Sequence, residues 1–207
     1  MRTITALLVG SLVAAAEPAA ALVTVVDTGA GTQMGGGATL ANKASIQFLA
    51  AQFTLADSTS VDTVEGWLAT TSAGSIDIKL LSDSAGHPGS PVFTSTFAAA
   101  FDTDAHWESA SGLGWALAPG TYWIAFEPES GYQGYMPERV PAPLAEYAFA
   151  TADPPSWVVA SGDFGVRVLA APEPNAGALA STALATAACV RAMRRRRGPS
   201  PEPARAR

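Results

Sequence analysis

From Ser75 to Leu81 the chain reads Ser-Ile-Asp-Ile-Lys-Leu-Leu, so that Ile76, Ile78 and Leu80 alternate with Asp77 and Lys79. Period two is the repeat of a β-strand with one dry face and one wet face. Short β-like runs recur along the chain: "LVTVVDTG", "SIQFLAAQFTL", "SVDTVEGWLAT", "PVFTSTFAA", "GLGWALA", "GTYWIAFEP" and "FGVRVLA". Clusters of Gly, Pro, Ser and Asp separate them, and no stretch between Leu22 and Ala170 sustains helical periodicity. Turn clusters at such intervals mark all-β sandwiches and barrels. The expectation is an all-β single domain over 22–170, an antiparallel β-sandwich or jelly-roll-like body of roughly seven to ten strands in two packed sheets. "GAGTQMGGGATLANKA" reads as a flexible loop, because it is rich in glycine.

The two ends read as addresses. Arg2 is followed by an apolar run from Ile4 to Ala16, and Ala19 and Ala21 supply small residues where a signal peptidase inspects the chain. This is the anatomy of a secretory signal peptide over 1–21, helical and cleaved after Ala21. An N-terminal membrane anchor is the competing reading, although a full span needs about 20 apolar residues. At the other end Pro172-Glu173-Pro174 precedes fifteen uncharged residues, Ala176 to Val190, seven of them alanine. As a helix these cover roughly 22 Å, less than the hydrocarbon core of about 30 Å. The expected short transmembrane helix therefore extends to about Met193, with Arg191 snorkelling to the interface. Arg194, Arg195, Arg196 and Arg197 then form a cytoplasmic stop. Residues 199–207 read as a disordered tail. A basic run can also mark nucleic-acid binding, but here it directly follows an apolar stretch in a chain with an export signal. A disordered Ala-rich tail is the other alternative.

The ordered triplet, apolar segment and arginine cluster over 171–198 resemble the PEP-CTERM sorting signal of Gram-negative bacteria. The resemblance implies recognition of Pro172-Glu173-Pro174 by an exosortase, after a precursor held transiently in the inner membrane. It implies a mature form at the cell surface or in the extracellular matrix, usually of exopolysaccharide-producing species. The body carries a second resemblance, to the choice-of-anchor type of bacterial surface domain and most to its R-type. The matching residues are Gln52-Phe53-Thr54-Leu55, Val64 to Leu68, Ile76 to Gly89 and Leu117 to Ile124. Such domains are β-sandwich or jelly-roll modules, and the resemblance implies no catalytic residues.

Charge narrows the partners. Between Leu22 and Ala170 stand four basic residues and fifteen carboxylates, while seven arginines lie beyond position 190. An acidic body repels polyanions, which excludes nucleic acid as its expected partner. The one cysteine, Cys189, lies in the terminal apolar stretch, so the body has neither a disulfide nor a Cys-based metal site.

No phosphate-binding glycine motif, nucleophile elbow or His-Glu-x-x-His appears. His87, inside an expected hairpin turn in "SDSAGHPGSP", and His106 lack metal-ligand spacing and read as surface polar residues. Asp102 and Asp104, with Glu108 nearby, offer carboxylates for calcium, against the bland reading of a solvated acidic turn. No other cofactor is expected.

Aromatic rings are the best binding candidates. Trp67, Trp115 and Trp123 lie inside strand-like runs and are expected in the core. Tyr132, Tyr135 and Trp157 lie in Gly- or Pro-rich loops and are expected exposed, where they would stack on sugar rings of an exopolysaccharide. The leading expectation is a non-enzymatic exported surface or matrix protein. A carbohydrate-active enzyme on a jelly-roll scaffold and a purely structural spacer are the alternatives. The enzyme would need two carboxylates converging in a cleft.

Overall fold

The computed structural model describes residues 21–42, 45–144 and 146–172. The expected signal helix and the terminal membrane segment therefore lie outside the described residues. No helix among the described residues is long and apolar enough to cross a membrane.

The described chain is all-β. Its strands are β1 (Val23–Asp27), β2 (Gln33–Asn42), β3 (Ile46–Leu55), β4 (Thr59–Ser72), β5 (Gly74–Asp83), β6 (Pro88–Ala99), β7 (Asp102–Ala110), β8 (Trp115–Leu117), β9 (Gly120–Pro128), β10 (Gln133–Glu138), β11 (Tyr147–Ala150), β12 (Val158–Ala160) and β13 (Val166–Ala170). Every pairing is antiparallel, and the strands form one continuous hydrogen-bonded set.

That set has two branches. In the first, β4 is the axis. β13 and then β10 line one of its edges, and β8 and β7 share the other. β1 adds to β13, and β2 adds to β10. The second branch runs β12–β11–β3–β9–β5–β6. The branches meet where β2 turns into β3, through Ala41 opposite Gln47 and Asn42 opposite Ile46.

Both branches feed one hydrophobic core. Leu40, Val64, Leu68, Met136 and Val166 come from the first, and Leu49, Ile78, Leu80, Ile124 and Phe126 from the second. Each of these fully buried side chains contributes roughly 1.5–3 kcal/mol. Phe93 of β6 stacks on Trp115 of β8, with ring centroids 5.6 Å apart and planes 8° apart. A methyl group on Gly66 of β4 would press on Met136 and on Phe126 of β9, each 2.9 Å away. Glycine stands there because the opposing side chains leave no room.

All eight strand-like runs of the sequence contain strands. The structure adds five more, β2, β7, β10, β11 and β12. β2 corrects the expected flexible loop. Its glycines carry little strand preference, but pairing with β10 and burial of Ala38 and Leu40 hold it extended. β7 likewise corrects the expected acidic turn at Asp102 and Asp104, because its backbone pairs with β4 from Val64 to Thr70. The hairpin between β5 and β6 closes as expected, with Ser84 and His87 exchanging backbone bonds. Ala85 and Gly86 both have positive φ, 52° and 82°, which is the geometry of a type I′ turn.

Candidate functional site

Along β4, Val64 and Leu68 are fully buried, so Glu65 and Trp67 between them face away from the core. Trp67 lies directly opposite Trp107 of β7, and the two rings meet edge to face at 5.3 Å. Glu65 lies opposite Arg167 of β13. The Arg167 guanidinium carbon rests 3.9 Å from the Trp107 ring centroid. Its position is fixed by Asp27, at 3.0 Å from Nε, and by Glu65, at 3.6 Å from Nη1. Tyr135 of β10 pairs with Ala69, two residues beyond Trp67, and so belongs to the same outward face.

Three half-buried rings and one guanidinium thus lie across strands β10, β4, β7 and β13. Gly165 makes this possible, because a side chain there would run into Trp67. The Trp67 indole N–H is buried and has no hydrogen-bond acceptor among the described residues. An orphaned donor costs about 1–3 kcal/mol, a cost that packing alone does not explain.

A second feature is a cleft of about 430 Å³ beside β5 and β9. Asp77, Glu127, Glu129 and Asp153 line it together with Lys79. Glu127 is buried and bonded to Lys79 at 2.6 Å. Asp77 accepts the Thr96 hydroxyl at 2.6 Å. Two of the four acids are therefore engaged with neighbouring side chains.

The rings singled out in the sequence disperse. Tyr132 is fully buried, which corrects the expectation that it is exposed. Its hydroxyl lies 3.2 Å from that of Thr70, and burial pushes its ionisation up to about 12. Tyr135 is on the outward face of β10 rather than in a loop. Trp157 lies in a loop but packs, half-buried, against the small cluster of Ala50, Leu81, Trp123, Ala125 and Ala148. Trp115 and Trp123 are in cores as expected, whereas Trp67 is not. The Trp123 indole donates to Asp83 at 2.9 Å. The Gly86 backbone N–H, and after it this indole, hold the Asp83 carboxyl below the usual carboxylate range.

Asp102 and Asp104 lie on β7. An Asp102 oxygen accepts the Asp104 backbone N–H at 2.9 Å. His106 lies 2.9 Å from both the Asp104 carbonyl and the Glu108 carboxylate, which raise its basicity in that order. Among the described residues no group of three or more His, Cys, Asp or Glu is placed to hold a metal ion. Of the sorting and cleavage residues, Ala21 and Pro172 are described, at the two ends of the body. Ala19, Glu173, Pro174 and Arg194 to Arg197 lie outside the described residues.

Compared with known proteins, the chain matches no family model and no curated protein sequence.

Proposed function

We propose that this chain is an exported, non-enzymatic surface or matrix protein whose body associates with extracellular polysaccharide. The observation that carries the binding reading is the outward pair Trp67 and Trp107 with Arg167 laid on it. Flat rings held on a strand face suit the apolar faces of sugars, and the charged groups beside them suit hydroxyls. In this reading the two branches of strands fold face to face as a β-sandwich. The shared core and the Phe93–Trp115 stack support that arrangement.

Export and sorting rest on the two terminal sequences, with signal peptidase and an exosortase as processing enzymes. The mature form then works at the cell surface or in the matrix of a Gram-negative bacterium. Glu127 and Asp77 of the cleft serve as structural partners to Lys79 and Thr96 in this reading, rather than as an acid and base.

The test is co-sedimentation of the purified full chain with the exopolysaccharide of its producer. Trp107→Ala and Tyr135→Ala should each weaken binding about tenfold, equivalent to about 1.4 kcal/mol. Trp157→Ala, on the other outward face, should leave it unchanged. Binding that survives both ring deletions, or no binding by the parent chain, overturns the proposal.

A further inference from the structure

A strand at the end of a sheet presents unpaired backbone groups, and proteins usually blunt such edges with charge, proline or brevity. Here β1 has five residues and ends on Asp27, β8 and β12 have three each, and β7 carries Asp102, Asp104, His106 and Glu108. β2 opens an edge too, but three consecutive glycines at 35–37 give it no side chains to pair. β6 differs from all of these. It is twelve residues long, has no charged side chain, and among the described residues pairs on one edge only, with β5. Pro91 lacks an N–H, so the open stretch is Val92 to Ala99.

We infer that this stretch of β6 docks a second copy of this chain, strand to strand and antiparallel, about a two-fold axis at Ser95. Such contacts require a surface that is complementary to itself. About Ser95, β6 is. Pairing places Phe93 against Phe97, Thr94 against Thr96 and Val92 against Ala98 of the second copy. Aromatic and Thr–Thr cross-strand pairs stabilise antiparallel sheets. Val92, Thr94, Thr96 and Ala98 are all exposed on one face, available for those pairs.

Charge favours the same occupant. Lys79 lies opposite Thr94, and Asp77 lies opposite Thr96. Each row across the junction would then run Lys79, Thr94, Thr96, Asp77, with its second half supplied by the second copy. Every row begins and ends in opposite charges. Elsewhere in the body fourteen carboxylates against three basic residues make two bodies repel, and the uncharged edge is where they can meet. The junction is independent of glycan binding, because it uses a different branch of strands.

The experiment is site-specific crosslinking of the full chain with Cys189→Ser as background. Opposed Cα atoms in antiparallel strands lie about 4.5–5.5 Å apart, within the disulfide range of about 4.4–6.8 Å. Ser95→Cys, opposite itself across the axis, should form a covalent dimer of twice the 21.1 kDa chain mass under mild oxidation. Val92→Cys, opposite Ala98, should form at least tenfold less. Position-specific linkage separates this junction from association through the apolar termini. Sedimentation of the unsubstituted chain gives a reading that needs no variant to fold. It should show a dimer, which Thr94→Lys with Thr96→Lys dissociates by setting like charges opposite one another. A chain that stays monomeric to about 100 µM, a bound on its dissociation constant, overturns the inference, as does equal crosslinking from positions 92 and 95.

Discussion

The β5–β6 turn sets a residue against its own preference. Ala85 holds φ at 52°, a left-handed conformation that costs an L-residue with a Cβ roughly 1–2 kcal/mol. Type I′ turns favour Asn-Gly, and Gly86 already fills the second position. Ala85→Asn should therefore raise stability by about 1 kcal/mol, read as a higher urea midpoint with an unchanged denaturant slope. At this scale the sequence was partly legible. Glycine and polar residues around Ser84 to Gly89 announced the hairpin. Trp67 was legible too, since Val64 and Leu68 turn inward on either side of it and period two sends it outward. Expecting it in the core gave ring size more weight than alternation. Tyr132 was not legible. Glycine neighbours suggested an open loop, yet the ring passes inward to Thr70, a contact sixty-two residues distant in the chain.

Elements here are held by their neighbours more than by their own composition. β4 is fourteen residues long and is paired by four other strands, and the aromatic face exists because those four converge on it. Its close approach to the start of β13 depends on Gly165, whose carbonyl accepts the Trp67 backbone N–H at 2.9 Å. Gly165→Ala should force Trp67 aside and destabilise the body by about 1–3 kcal/mol, the usual range for overpacking. Tryptophan fluorescence and urea unfolding, measured together, would show both effects; an unchanged spectrum and midpoint would remove Gly165 from this role. β2 and β7 escaped the sequence reading because neither carries a strong strand preference. One is glycine-rich and the other acidic, and only pairing to β10 and β4 makes them strands. Strands buried on one side advertise themselves through alternation, whereas those recruited by long-range pairing do not.

For the whole molecule, the all-β class was legible from punctuation and period alone. The arrangement of thirteen strands was not, because pairing partners lie far apart in the chain and leave no local mark. The proposed terminal addresses are the reverse case: they rest on sequence alone, and apart from Ala21, Ala171 and Pro172 they lie outside the described residues. Mass spectrometry of the mature protein from its producer tests them directly. The expected product begins at Leu22 and lacks the arginine cluster. Retention of Pro172 to Arg207 in a host with an active exosortase would end the sorting reading. Val23 is paired with Ala170, so the chain enters and leaves the body side by side, on strands of opposite direction. If the precursor is held at both ends, as proposed, both tethers leave the body at one point on its surface. Completion of the body also waits on its last strand. β13 seals the gap between β1 and β4, so the fold can close only once residues 166–170 are in place.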